Sequence, residues 1–361
     1  MKKNILVIDD SALMRRVLSD IINADDRFQV TEYAGNGLEG LIILQNRGNE
    51  FDAVLLDINM PRMNGIELLS ELQTKNIKAT VIVVSTIAVR DSKETIHALE
   101  LGAFDFVTKP ESYLEVKSNQ FSDKILGALA TATKIEKAAV KVSIQERTVV
   151  KKEIKVKPKI LPTVLPQNAN KLVALACSTG GPKALHAVIP SLPQDLDASV
   201  LIVQHMPGGF TKSLADRLNE LSQLTVKEAE DGEILCKGTV YIAKGGFQMR
   251  VKKQSCGQYA ISLSKEAARQ GLMPCADIMY ESLVDTDFDQ ITCVVLTGMG
   301  GDGTAGISQL IQNKNIYVIA QNEETSIVYG MPKVVKEAGL VDEVVALNEV
   351  SDSIIKNVGV N

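Results

Sequence analysis

Ile5-Leu6-Val7-Ile8-Asp9-Asp10 is a short apolar run that stops at two acids. Such a run is too short for a membrane span and has the wrong flank for a secretory leader. It reads as a buried strand that delivers carboxylates to one edge of a sheet. The pattern repeats outward from there. Residues 53–56 end at Asp57, 81–84 end at Ser85-Thr86, and 104–107 end at Thr108-Lys109-Pro110. Helical spacing fills the gaps over residues 14–23, 38–45 and 67–72. Strands alternating with helices predict a parallel sheet covered on both faces, a doubly wound α/β domain over residues 1–125.

Residues 134–170 differ in character. Lys and Val dominate Val149-Val150-Lys151-Lys152, and Pro158, Pro162 and Pro166 recur at four-residue spacing. This predicts a solvated, partly extended tether within a linker at 126–170, with a docking strip for an acidic partner as the alternative. From Lys171 the alternation resumes. Strands are expected at 172–176, 200–203, 240–242, 291–296 and 316–319, and helical pieces at 186–189, 212–221, 277–284 and 306–312. A second doubly wound α/β domain follows, over 171–361.

Composition narrows the function. Net charge is −5, Trp is absent and aromatics make up 4%, so neither a basic field nor base-stacking surfaces point to nucleic acid. Cys177, Cys236, Cys256, Cys275 and Cys293 are odd in number and unpaired in spacing. Free thiols in a reducing cytoplasm are expected, with no zinc site and no membrane insertion.

In a doubly wound sheet the carboxyl ends of the strands meet at one edge, where ligands bind. Asp9, Asp10 and Asp57 gathered there repel one another unless a hard divalent cation joins them, and magnesium suits oxygen ligands. One Asp is then a nucleophile toward a phosphoryl group, with Ser85 or Thr86 and Lys109 placed to contact its oxygens. The Lys109-Pro110 bond is a candidate for the cis form. Singly, each strand-end Asp is as well explained as a helix cap; the set at successive strand ends is not.

Asp9-Asp10-Ser11, Asp57-Ile58-Asn59-Met60-Pro61, Ser85-Thr86 and Thr108-Lys109-Pro110 together resemble the response-regulator receiver family, whose fold is flavodoxin-like. The resemblance implies that Asp57 accepts a phosphoryl group from a histidine kinase. It also implies that Asp10, Asp57 and the Asn59 carbonyl hold Mg2+ with help from Asp9, that Ser85 or Thr86 responds to phosphorylation, and that Phe106 is the aromatic reporter.

Three strand ends carry chemistry in the second half. Cys177-Ser178-Thr179-Gly180-Gly181-Pro182 puts a hydroxyl on a sharp strand-to-helix turn, whose helix N-terminus can stabilise an oxyanion. An N-cap or a phosphate loop is the alternative, although the spacing fits neither G-x-S-x-G nor a P-loop. Gln204-His205-Met206-Pro207 places one of three histidines at the same edge. His97 lies in the first domain, and His186 lies inside a helix that points it away, so His205 is the best base. Thr297-Gly298-Met299-Gly300-Gly301-Asp302-Gly303 supplies an acid able to orient an imidazole. It lacks the G-x-G-x-x-G spacing of a dinucleotide site.

These stretches, with Val226-Lys227-Glu228-Ala229-Glu230-Asp231-Gly232 and Tyr329-Gly330-Met331-Pro332, resemble the chemotaxis protein-glutamate methylesterase and protein-glutamine deamidase family. The resemblance spans nearly the whole chain and implies a Rossmann-like methylesterase domain. It implies Ser178 as nucleophile, His205 as base and acid, Asp302 as orienting acid, and N–H groups of Thr179 and Met299 as oxyanion donors. Methyl esters on methyl-accepting chemoreceptors are the implied substrates, and no cofactor serves the ester chemistry. Two places depart from the family pattern: 267–277, where Arg269-Gln270-Gly271 and Pro274-Cys275-Ala276-Asp277 stand, and Gly301, where Asn is usual. The competing readings are an output domain that only binds partners, and a DNA-binding one, for which no basic recognition helix is evident.

Overall fold

The computed structural model describes residues 2–86, 89–110, 119–134, 171–255 and 257–360. Most of the expected linker and Cys256 lie outside the described residues.

The opening stretch forms β1 (Lys3–Ile8). Each of Ile5, Leu6, Val7 and Ile8 is fully buried, as a strand covered on both faces demands, and each such side chain contributes about 1.5–3 kcal/mol. Helices alternate with strands from there: α1 (Ala12–Asn23), β2 (Phe28–Ala34), α2 (Gly37–Arg47), β3 (Ala53–Asp57), α3 (Gly65–Thr74), β4 (Val81–Ser85), α4 (Val89–Glu100), β5 (Asp105–Thr108) and α5 (Asn119–Ala132). Local chemistry sets the helix starts. Ser11 and Asn36 side chains accept from Met14 and Glu39 N–H groups, and Asn64 with Glu67 forms a capping box.

The first sheet is parallel in the order β2-β1-β3-β4-β5. Its topological switch lies between β1 and β3, whose ends carry Asp9, Asp10 and Asp57. Strand β2 escaped the sequence reading because it is an edge strand, with Gln29, Thr31 and Glu32 breaking the apolar run. Helix α5 buries Phe121, Ile125 and Leu129 in this domain's core. It therefore runs on past residue 125, where the first domain was expected to end. The Lys109–Pro110 peptide is trans; among the described residues the cis bond is Met273–Pro274.

The second half contains β6 (Lys171–Cys177), α6 (Gly181–Val188), β7 (Ser199–Gln204), α7 (Phe210–Leu221), β8 (Thr225–Glu228) and β9 (Thr239–Ile242). These are followed by β10 (Gln248–Lys253), β11 (Tyr259–Ser264), α8 (Ala276–Glu281), β12 (Gln290–Val295), α9 (Thr304–Asn313), β13 (Ile316–Gln321), α10 (Met331–Glu337), β14 (Glu343–Val345) and α11 (Val350–Val358). Seven strands form a parallel sheet in the order β14-β13-β12-β6-β7-β9-β8, and β10 with β11 makes a separate antiparallel hairpin. Strands β8 and β10 mix charged residues with apolar ones and β14 is only three residues long, which hid them in the sequence. No helix among the described residues is long and apolar enough to cross a membrane.

Gly65 opens α3 with no room for a side chain. A Cβ there meets the Asp57 carbonyl oxygen at 2.4 Å and Ile58 Cα at 2.9 Å, both backbone atoms that cannot swing aside. Gly65→Ala is therefore expected to destabilise the first domain by about 1–3 kcal/mol. Chemical denaturation of the full chain checks this, and a midpoint equal to the parent's would refute it.

Candidate active site

At the first sheet's switch point, ligand atoms of Asp9, Asp10 and Asp57 lie within 4.8 Å of one another. Asp9 and Asp57 are buried and Asp10 is exposed. Lys109 Nζ stands 2.9 Å from Asp9 Oδ2 and 2.9 Å from Asp57 Oδ2. Burial raises the Asp57 carboxyl above its ordinary range, and the Lys109 charge only partly offsets it. For Lys109, burial acts to lower its pKa, but Asp57 and Asp9 together outweigh it and the pKa rises. The oxygen donor set fits a hard divalent ion such as magnesium.

The two candidate switch hydroxyls are placed differently. Ser85 is buried at the end of β4, and its Oγ lies 3.4 Å from the Thr86 carbonyl. Thr86 is exposed and donates to Asp91 Oδ2 on α4. Asp91 Oδ1 accepts from Asn59 Nδ2 at 3.0 Å, so one acid ties the loops after β3 and β4 together. Nothing in its helical stretch marked Asp91 in the sequence.

In the second sheet β7 and β12 flank β6 on opposite sides and the strand order reverses there, so the switch point lies beside β6. Ser178 follows β6 directly. Its N–H donates to the Thr297 carbonyl at 3.0 Å, and its carbonyl accepts from Gly181 N–H at 2.7 Å and Gln204 Nε2 at 3.0 Å. Gly180, at φ 78°, makes the turn into α6. Gly298 is equally constrained, since a Cβ there meets Ser178 Cβ at 2.8 Å. The glycine-rich loop thus packs directly on the serine.

His205 follows β7, and its Nε2 lies 2.7 Å from Asp302 Oδ2, with both side chains largely buried. Burial acts to raise the Asp302 pKa, but the His205 bond and two backbone N–H donors outweigh it and hold the carboxyl at about 2. Asp302 thus stays ionised through the neutral range. With Nε2–H committed to Asp302, Nδ1 is the ring nitrogen left to take a proton. Ser178, Thr179, His205 and Met299 line one cavity. Among the described residues Ser178 Oγ has no hydrogen-bond partner, and the N–H groups of Thr179 and Met299 are uncommitted. His186 sits elsewhere, with Nδ1 on the Pro182 carbonyl at 2.7 Å. Gly301 lies against Val334, whose Cγ1 is 2.9 Å from where a Cβ would stand, so a side chain here needs Val334 to move.

Pro182, Gln204 and Pro207 complete the second domain's share of that cavity, and the facing wall comes from the first domain, through Asp105, Phe106, Thr108 and α5. Thr179 Oγ1 donates to Asp105 Oδ2 at 2.7 Å, and the Phe106 and Phe210 rings are 4.6 Å apart at 33°. Thr131 Oγ1 reaches Met299 Sδ at 3.2 Å. To one side, Glu100 accepts from Arg217 Nε at 2.7 Å and Nη2 at 3.2 Å. His186 Nε2 lies 2.8 Å from Glu100 Oε1, an ion-pair separation without hydrogen-bond alignment. Ser92 and Ser213 share a bond of 2.7 Å. Sequence spacing contains no signal for any of these contacts between distant segments. Asp105 keeps an edge open to solvent, yet protein atoms of both domains crowd its carboxyl. This desolvation raises its pKa, against the Thr179 and Phe106 N–H bonds that lower it.

Comparison with known proteins agrees with this two-part construction. Residues 173–354 match the family model described as CheB methylesterase, and residues 5–118 match the response regulator receiver domain. A protein-glutamate methylesterase/protein-glutamine glutaminase of Syntrophomonas wolfei is 40% identical over 98% of this chain and 99% of its own length. One from Bacillus subtilis is 39% identical over 97% of each chain. The crystal structure of the Thermotoga maritima CheB methylesterase catalytic domain is 41% identical, with a TM-score of 0.50, and covers 52% of this chain and 99% of its own. Matched along almost its entire length by such relatives, the chain belongs to the CheB methylesterase family and carries a response regulator receiver domain at its N-terminus.

Proposed function

We propose that this chain hydrolyses glutamate methyl esters, and deamidates glutamines, on chemoreceptors through Ser178, His205 and Asp302. The observation that carries the reading is the His205–Asp302 bond of 2.7 Å at the rim of the cavity that Ser178 also lines. Ser178 gives its proton to His205 Nδ1 as Oγ attacks the ester carbonyl carbon. The tetrahedral oxyanion is held by the N–H groups of Thr179 and Met299. Asp302 keeps the ring oriented and stabilises its charged form. The C–O bond breaks, and the imidazolium protonates the departing methoxide to give methanol. His205 next deprotonates a water, which attacks the acyl-serine carbonyl; the acyl–Oγ bond breaks, the imidazolium returns its proton to Ser178 Oγ, and the new carboxylic acid leaves as glutamate carboxylate and a proton. A glutamine follows the same course with ammonia as leaving group.

Phosphorylation of Asp57 by a histidine kinase controls access in this reading. Asp9, Asp10, Asp57 and the Asn59 carbonyl would hold Mg2+, which supplies charge neutralisation for the incoming phosphoryl group. Lys109 and either Ser85 or Thr86 would contact its oxygens. What supports the control is where β5 runs: Lys109, just beyond its end, touches Asp57, while Asp105 and Phe106 touch the second domain. On α4, Asp91 holds Thr86 and its neighbour Ser92 meets Ser213. Phosphorylation shifts the population from this covered arrangement to an open one. The enzyme works in the cytoplasm, where kinase and receptor tails meet it.

Three outcomes follow. Ser178→Ala is expected to lower methanol release from methylated receptor by more than about 10³-fold with folding intact; parent-like turnover in that variant would sink the triad. A small phosphodonor with Mg2+ should raise the parent's turnover and leave Asp57→Asn unchanged, and equal rates in an active parent would rule out control by covering. Asp105 gives a pH dependence. Its carboxyl pKa is raised where the domains meet, so the covered state holds it best when protonated and loses that contribution as pH rises above the ordinary carboxylate value. Unphosphorylated parent should therefore gain activity with rising pH relative to Asp105→Asn, whose amide stays neutral; superimposable profiles would refute this.

A further inference from the structure

Asp302 is held by four donors, and three of them lie outside the three residues assigned to the chemistry. Oδ2 accepts from His205 Nε2 at 2.7 Å and from Ala276 N–H at 2.6 Å. Oδ1 accepts from Asp277 N–H at 3.0 Å and from the Cys275 thiol at 3.1 Å. The acid is thus tied to the start of α8, a separate segment of chain. The tie runs back as well: Asp277 Oδ1 accepts from Gly303 N–H at 2.9 Å and Gly306 N–H at 2.7 Å, at the start of α9. Each carboxylate caps the helix that begins beside the other. The two helices approach so closely that a Cβ on Gly306 meets the Asp277 carbonyl oxygen at 2.7 Å and Tyr280 Cβ at 2.8 Å.

We propose that Asp277 is a positioning residue for the catalytic acid, and that Cys275 assists it by donating its thiol hydrogen to Asp302. The inference rests on the Ser178–His205–Asp302 reading. The loop from Thr297 to Gly303 carries an oxyanion donor at Met299 and the acid at Asp302, and is rich in glycine, so it has little stiffness of its own. Asp277 supplies what is missing by holding the loop's far end through two N–H groups. Burial pushes the Cys275 thiol up to about 12, so it remains a neutral donor at ordinary pH. Ligand atoms of Cys275, Asp277 and Asp302 lie within 4.8 Å of one another, as a metal site would require. Both Asp302 oxygens and Asp277 Oδ1, however, already face N–H hydrogens that a cation would have to displace. The cluster is therefore an orienting lock.

The test uses full-length enzyme activated by phosphodonor. Asp277→Ala is expected to lower kcat about 10- to 100-fold, the scale of a modest misplacement of reacting groups, with KM little changed. It should also weaken or shift the downfield proton resonance of the His205–Asp302 bond. Asp277→Asn, which keeps the accepting oxygen, should restore most of kcat and the resonance. A folded Asp277→Ala with parental kcat and resonance would overturn the proposal. If Asp277→Ala does not fold, Cys275→Ala decides. Losing one hydrogen bond to Oδ1 should cost about two- to tenfold in kcat and shift the resonance, with Cys275→Ser restoring both; no change in either would overturn it. Asp302→Ala serves as the control: if it retains parental kcat, the triad reading fails rather than this one.

Discussion

A carboxylate buried without donors costs several kcal/mol, and this chain buries carboxylates at both candidate sites and between its domains. The penalty is met differently at each. Asp57 leans on the Lys109 ammonium and remains raised in pKa. Asp302 is surrounded by His205, two backbone N–H groups and a thiol, and stays ionised down to about pH 2. Asp105, between the two domains, has a hydroxyl and one N–H but no ion pair among the described residues. Under the proposed function, the first environment suits an acid that changes its charge state with phosphorylation. The second suits one that must never change. The third leaves the contact between domains without an ion pair at Asp105, which suits the separable interface of the proposed control.

The two parallel sheets bring this about with the same device. Central strands buried on both faces carry apolar residues throughout, so polar chemistry is displaced to the carboxyl ends, where the chain turns. In the first domain those ends gather acids around a lysine; in the second they gather a serine, a histidine and an acid. The domains meet with α4, β5 and α5 of the first lying over the edge of the second. Strand β5 is short enough that Asp105 at its start and Lys109 just past its end belong to different sites. In the proposed control, a shift of Lys109 would reach Thr179 within the length of one strand.

Among the described residues the contacts across the interface are mixed: the Thr179–Asp105 bond, the Thr131–Met299 contact, one ring pair, a hydroxyl pair, and Glu100 with Arg217 and His186. Inter-domain surfaces that must part are more polar than those that must not. Arg217 keeps considerable exposure, which makes its pair a weak clamp and a good register pin.

Much of this was legible in the sequence. Continuous apolar runs marked β1, β3, β4, β6, β7 and β12, because a strand buried on both faces leaves no room for polar interruption. The residues at their ends named both candidate sites, because strand ends are where such a fold can place polar groups. What spacing could not carry were the edge strands β2, β8 and β14, which answer to solvent on one side, and the extension of α5. Asp91, Asp105, Asp277 and Cys275 were invisible in their roles for a related reason. Each acts through a partner far away in the chain, and no local pattern records that a carboxylate in one helix will cap another. The sequence alone determined the alternation, the polar residues at the strand ends and the edges that carry them; only the tertiary structure decided which ring nitrogen faces the acid and which domain face covers the serine, because both depend on contacts that exist only once distant segments have packed.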